Sequence, residues 1–198
     1  PNVTPGYWRQ PELTRQSFDE DGFYRFGDAV RFVNPDDVNQ GFLFDGRLSE
    51  DFKLATGTWV SVGPLRARIL SHFAPYVRDV VITGHDRDEL GMLIFADLHA
   101  CASLCAGHAD GDSATVLAEP TVRTKFLQLL ESLAKQATGS STRVTRAVLL
   151  QEQPSLDAGE ITDKGSLNQC AVLEGRRAAV EQLYADQPAA DILRIRGK

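Results

Sequence analysis

Three short stretches carry residue types suited to chemistry. The first is Tyr24-Arg25-Phe26-Gly27-Asp28, where a glycine lets the backbone turn tightly and presents a carboxylate. A carboxylate accepts hydrogen bonds from a vicinal diol, which suits a ribose; an exposed turn aspartate is the plainer reading of the same residues. The second is Phe44-Asp45-Gly46-Arg47, followed by Glu50-Asp51-Phe52-Lys53. A charged cluster just after a glycine marks either a hinge or a solvated linker, and charge pattern alone favours the linker. The third is Ala158 to Gln169, where Gly159 and Gly165 bracket Lys164. A lysine on a mobile loop can reach another domain and offer a compact charge to a phosphate or carboxylate, with Glu160 and Asp163 keeping it protonated. Taken in isolation it is a surface lysine between two elements.

A fourth grouping joins His99, Cys101, Cys105 and His108. Its spacing is not a standard zinc pattern, and the segment is rich in Ala and Leu, so the thiols read as small hydrophobes of a buried helix. No metal site is expected.

These residues need elements to hold them. Pro1, Pro5, Gly6, Pro11 and the run Asp19 to Gly22 punctuate residues 1–22 as loop and turn. Phe23 to Val33 and Phe42 to Phe44 flank a polar break and predict a β-hairpin. Too little apolar material surrounds that hairpin to cover it, so it is expected to belong to a domain lying upstream. Lys53 to Val62 predicts a second hairpin, and Gly63-Pro64 opens a helix through Leu65, Ile69 and Phe73. Val77 to Gly84 and Leu90 to Ala96 read as strands joined by the turn His85 to Glu89. A short helix from Asp97 to Cys105 and a Gly- and Asp-rich loop from His108 to Ser113 follow. Pro120 opens the clearest helix, with Val122, Phe126, Leu129, Leu130 and Leu133 on one side. Val144 to Leu150 is a strand, and a last helix runs through Val180, Leu183 and Tyr184. The order predicts a small α+β domain, with helices packed on a short sheet.

Composition bounds the function. The 198 residues suffice for one domain and a flanking piece, and their core needs no disulfide or metal. Lys and Arg number 21 against 27 Asp and Glu, a net charge of −6 that argues against nucleic acid as a partner. Three cysteines without a pairing framework suit a reducing cytoplasm. No stretch is apolar for long enough to span a membrane, and the first residues do not form a signal peptide. Without an initiator Met, the start at Pro1 reads as a cut end.

Read together, PNVTPGYWRQPELT, GFYRFGDAVRF, FDGRLSEDFKLATGTWVSVGPLRARI and DAGEITDKGSLNQ resemble the adenylate-forming superfamily of acyl-CoA synthetases, adenylation domains and luciferases. The wording SEDFKLATGTWVSVG and AGEITDKG is most similar to feruloyl-CoA synthetases. The resemblance implies that residues 1–47 are the tail of a large N-terminal adenylation domain, 48–52 a hinge, and 53–198 the mobile C-terminal lid. It implies that Asp28 and Arg47 hold the ribose hydroxyls of AMP and that Lys164 is the catalytic lysine. Ser49 and Glu50 would be the hinge, and Lys53, Gly57, Thr58 and Trp59 would belong to the hairpin lining the CoA tunnel. Ser49 stands where the family commonly has Asp or Lys, and Asp163 where Gly is common.

The activity so implied is ATP-dependent. A carboxylic acid, aromatic in the feruloyl case, is joined to AMP with release of pyrophosphate, and the acyl group then passes to CoA. ATP, Mg2+ and CoA are expected to serve the whole enzyme, with tight binding of none of them to this segment alone. The missing N-terminal domain is its expected partner. Arg66, Arg68 and Arg78 are possible contributors to a basic patch for the CoA 3′-phosphate. Two alternatives remain: a carrier protein as the acceptor, and a stand-alone binding module without catalysis.

Overall fold

The computed structural model describes residues 3–105 and 112–195, and its chain divides into two compact units, Pro1–Ser49 and Glu50–Lys198. Of the loop expected from His108 to Ser113, residues 108–111 lie outside the described residues, and Ser113 already begins a helix capped by Asp112.

The first unit holds helix α1 (Pro11–Gln16), where the turn-like composition predicts only loop. Pro11 begins the helix, since a missing N–H costs nothing at a first helical position. The expected hairpin is strands β1 (Asp28–Phe32) and β2 (Phe42–Arg47), antiparallel, with a bulge between Ala29 and Val30. A two-stranded ribbon buries little by itself. Accordingly Trp8, Phe23, Phe26, Phe42 and Phe44 are all exposed. Among the described residues, only Trp59 and Leu156 of the second unit are comparably exposed large hydrophobics.

The second unit starts with a short hairpin of β3 (Phe52–Lys53) and β4 (Trp59–Val60). Helix α2 (Val62–Phe73) follows, with Val62, Leu65, Ile69 and Phe73 buried. It begins two residues before Pro64, whose missing N–H still falls in the first turn, where no intrahelical partner exists. Asp51 Oδ1 accepts the Val62 N–H at 2.8 Å and so caps the helix, while Ser61 makes no capping bond.

Strands β5 (Val77–Thr83) and β6 (Leu90–Ala96) pair antiparallel as their turn predicts. Helices α3 (Leu98–Ala102), α4 (Ser113–Ala118) and α5 (Pro120–Lys135) then carry the chain across to β7 (Val144–Leu150), which lies parallel to β6. A parallel pair needs such a long crossover. Helices α6 (Gln169–Gly175) and α7 (Arg177–Leu183) precede a final strand, β8 (Ile192–Arg194), antiparallel to β7. The four-stranded sheet runs β5-β6-β7-β8.

Alternation along the strands splits the core in two. Val80, Ile82, Met92, Ile94, Ala147 and Leu149 pack with the buried faces of α2 and α5. Val81, Leu93, Phe95, Val148 and Leu150 pack with Leu167, Val172 and Leu183 on the opposite face. With both faces covered, every residue of β6 and β7 is buried, which explains the continuous apolar run of β6. The outer edge of β5 is closed by a side chain: Gln169 Oε1 accepts the Ile82 N–H at 2.7 Å.

Cys101 lies in this core, its thiol donating to the Tyr76 carbonyl at 3.7 Å, and burial pushes its pKa up to about 12. Cys105 donates to the Cys101 carbonyl at 3.6 Å. His108, the fourth member of that grouping, lies outside the described residues. No helix among the described residues is long and apolar enough to cross a membrane.

Candidate functional site

Asp28 opens β1 and Arg47 closes β2, and the ladder sets the two residues opposite each other. Directly opposed residues have Cβ atoms about 4.5–5.5 Å apart, so one carboxylate and one guanidinium share an end of the hairpin. The next rung is closed by the Leu48 N–H, which donates to the Gly27 carbonyl at 2.9 Å. Asp45 is taken up elsewhere, meeting Arg31 at 3.3 Å. The division between the two units falls between Ser49 and Glu50. Asp51 and Phe52 are built into the second unit, one as the cap of α2 and the other as a core residue.

In the second unit, Lys164 sits exposed at the tip of a tight turn. The Gly165 N–H donates to the Thr162 carbonyl at 2.8 Å, and the Thr162 N–H donates to the Ser166 carbonyl, also at 2.8 Å. This is a three-residue hairpin loop, a type I turn closed by a residue in the left-handed region, and Gly165 takes that place at φ +76°. Asp163 and Lys164 occupy the two central positions, where negative φ is required and any L-residue fits. Asp163 in place of glycine therefore leaves the turn intact.

Below the turn the chain is pinned. Ile161 and Leu167 form an antiparallel bridge, and the Asn168 N–H donates to the Glu160 carbonyl at 2.8 Å. Glu160 does not face Lys164, as its place in the sequence suggests. It is 3% exposed and accepts from Arg176 Nε and Nη2 at 2.8 and 2.9 Å, and from the Ser155 N–H at 2.8 Å. The Arg176 hydrogen bonds hold its carboxyl below the ordinary glutamate value, against the opposing pull of burial. Arg176 also donates to the carbonyls of Glu152 and Gln153 at 3.2 and 3.0 Å. One buried ion pair thus ties the incoming side of the Lys164 loop to the junction of α6 and α7. Composition hides this anchor, because a Glu beside a Lys suggests their own pairing.

The β3–β4 hairpin repeats the same turn. Leu54 N–H donates to the Thr58 carbonyl at 2.9 Å, and Gly57 N–H to the Leu54 carbonyl at 2.8 Å, with Gly57 at φ +80°. Ala55 and Asp86 N–H groups bond the carbonyls of Arg87 and Lys53 at 2.9 and 3.1 Å, fastening the hairpin to the β5–β6 turn. Lys53 and Trp59, cross-strand partners, are both exposed, and Trp59 keeps 50% of its surface.

The three arginines named as possible contributors to a patch go to three different partners. Arg66 Nε donates to Asp79 at 2.8 Å, Arg78 Nε to Asp97 at 3.2 Å, and Arg68 to the Gln136 carbonyl at 2.7 Å. A cleft of about 520 Å³ between the β5–β6 turn and helices α6 and α7 is lined by Phe52, Arg87, Leu173 and Tyr184, among others, and by none of the expected site residues.

A two-layered sheet core, a short leading hairpin and an exposed lysine turn define the lid-like class of small α+β domain. Residues 51–188 match the family described as AMP-binding enzyme C-terminal domain, and the chain belongs to that family. It is similar to a carboxylic acid reductase of Segniliparus rugosus, 27% identical over 184 residues that cover 92% of this chain and 14% of the relative. The solved adenylation domain of a carboxylic acid reductase from the same organism, in complex with AMP and a co-purified carboxylic acid, superposes with a TM-score of 0.69 at 26% identity, covering 91% of this chain and 26% of that one. A malonate–CoA ligase of Arabidopsis thaliana is 30% identical over 96 residues, 48% of this chain and 15% of the relative. The chain therefore spans only a small part of the relatives it matches.

Proposed function

We propose that the chain is the C-terminal part of an ATP-dependent acid–thiol ligase, the lid that serves both half-reactions of a larger adenylating enzyme. The observation that carries this reading is the exposed Lys164 on a hydrogen-bonded turn, in a domain of the AMP-binding C-terminal family. In the first half-reaction a substrate carboxylate oxygen attacks the α-phosphorus of ATP and pyrophosphate leaves. Lys164 Nζ would stand between carboxylate and phosphate and offset the charge that builds there. Asp28 and Arg47 would accept from and donate to the ribose hydroxyls, and their shared end of one hairpin supports that pairing. In the second half-reaction the thiol attacks the acyl carbon and AMP leaves. The lid would turn about Ser49–Glu50, withdrawing Lys164 and bringing in the hairpin of Lys53, Gly57, Thr58 and Trp59. The division of the chain between Ser49 and Glu50 supports a hinge there. The exposed aromatic side chains of the first unit support its role as the tail of a larger N-terminal domain.

The acid assigned is a hydroxycinnamate such as ferulate, on the wording of the β3–β4 and Lys164 segments, and the acceptor is CoA. A carrier-bound thiol is the second reading. It is favoured by a match to a long-chain-fatty-acid–acyl-carrier-protein ligase of Arabidopsis thaliana over 93% of this chain, against 48% for the malonate–CoA ligase. The test is pyrophosphate release by the whole enzyme with ATP and a panel of acids, with and without CoA. Release with ferulate and CoA-dependent thioester formation supports the reading. Release with fatty or amino acids alone removes the hydroxycinnamate, and no release with any acid removes the ligase.

A further inference from the structure

The turn between β5 and β6 seats the β3–β4 hairpin, and one side chain joins that seat to α7. Asp86 holds the left-handed region at φ +54°, a conformation that a residue with a side chain keeps only where its surroundings fix it. The hairpin packs closely on this turn: a Cβ at Gly84 would stand 3.3 Å from Leu54 Cδ2, and Leu54 is 1% exposed. The Arg87 carbonyl accepts the Ala55 N–H at 2.9 Å, while Arg87 Nη2 donates to both carboxylate oxygens of Glu181 at 2.9 Å. The same guanidinium lies over the Tyr184 ring, 5.1 Å from its centroid. Tyr184 is itself fixed, its hydroxyl pairing with Thr83 Oγ1 at 2.9 Å and donating to the Glu89 carbonyl at 3.1 Å. Arg87, Glu181 and Tyr184 all stand on the wall of the cleft beside α6 and α7.

Helix α7 therefore carries a clamp at each end. Arg176, just before it, holds Glu160 and the incoming side of the Lys164 loop. Glu181, in its last turn, holds Arg87 and the seat of the hairpin. The Arg87 and Glu181 side chains are 38% and 58% exposed, and an ion pair so open to water contributes little to stability. What it supplies is geometry. Two turns that enter one site in succession need a fixed spacing, and a misplacement of about 1 Å can cost about 100-fold in rate. We propose that Arg87 is a positioning residue for the second half-reaction, locking the β3–β4 hairpin to α7 so that the rotation that withdraws Lys164 delivers the hairpin in register. The proposal rests on the acid–thiol ligase reading and makes α7 the strut between the two working turns of the lid.

The test is Arg87→Ala in the whole enzyme, with the two half-reactions measured separately. The kcat for thioester formation from supplied acyl-adenylate should fall about tenfold, with KM for the thiol within about threefold and pyrophosphate release within about twofold. Glu181→Ala should do the same, and the double variant should be no worse than either single one. Arg87→Lys, which keeps the charge, should restore part of the rate. Because the pair is exposed, Tm should shift by no more than about 4 °C. In the 198-residue chain, Arg87→Ala should speed amide exchange at Ala55 and Asp86 by about fivefold or more and leave Gly165 unchanged. Equal losses in both half-reactions, or a thioester step within about twofold of the unaltered enzyme, overturn the proposal, as does unchanged exchange at Ala55. If no acid releases pyrophosphate, the ligase reading fails by itself, and exchange at Ala55 still decides whether Arg87 holds the hairpin.

Discussion

Gly57 and Gly165 stand at the same position of the same three-residue turn, at φ +80° and +76°. One turn tips the hairpin assigned to thiol delivery, and the other presents Lys164. Among the described residues, nothing lies within 4 Å of the point where a side chain would begin at either glycine. Backbone conformation, and not crowding inside this chain, is therefore what requires glycine at both places.

That relationship changes what Gly57→Leu measures. A leucine at positive φ costs about 1–2 kcal/mol whatever lies near it. Asparagine enters the left-handed region readily, so Gly57→Asn preserves the turn with a smaller side chain. Gly57→Leu should lower stability by about 1 kcal/mol and abolish thioester formation while leaving adenylate formation intact. Gly57→Asn should keep stability within about 0.5 kcal/mol and retain much of the thioester rate. Thermal unfolding and separate assays of the two half-reactions check this.

Glu160 and Arg176 offer a pH test. Their side chains are 4% and 14% exposed, and breaking such a buried pair costs about 3–5 kcal/mol. Glu160→Gln should destabilise the second unit by several kcal/mol and speed amide exchange at Thr162, Gly165 and Asn168. Because the folded carboxyl is held below its ordinary value, the stabilisation is fully present above that value and fades as pH falls through the depressed one. The stability gap between the unaltered chain and Glu160→Gln should thus be widest near neutrality and shrink below about pH 4. Denaturant unfolding across pH 2–7 reads it, and a gap independent of pH would remove the ion pair as its cause.

Asp51 caps α2 from outside the helix. Asp51→Ala should cost about 1 kcal/mol, and Asp51→Asn, which keeps an acceptor, should recover most of it. Ser61→Ala, at the nominal cap position, should change stability by less than about 0.5 kcal/mol. Paired unfolding curves distinguish the two residues.

Much of the second unit was legible in the sequence because its strands are rich in apolar and β-branched residues. Val77 to Thr83, Leu90 to Ala96 and Val144 to Leu150 are each bounded by polar turns, and Pro120 signals the start of α5. The parallel pairing of β6 with β7 left no such mark, since periodicity reports burial and not neighbours. Strand β8 is three residues after a polar stretch, and its pairing comes from β7 alone. Helix α1 was hidden by Pro11, which punctuates loops and helix starts alike. In the candidate site, residue types could nominate Asp28, Arg47 and Lys164. They could not set Asp28 against Arg47, because a bulge fixes that register, nor turn Glu160 away from Lys164, because Arg176 binds it from another helix.

The most direct test of the account is Lys164→Ala in the whole enzyme, with the two half-reactions measured separately. The side chain is exposed on a turn held by backbone hydrogen bonds, so stability should change by less than about 0.5 kcal/mol. Adenylate formation, read as pyrophosphate release, should fall by about 100-fold or more, the scale of losing one transition-state charge contact. Thioester formation from supplied acyl-adenylate should stay within a few-fold of the unaltered enzyme. A fall in both half-reactions together, or in neither, would contradict the assignment of Lys164 to the first step.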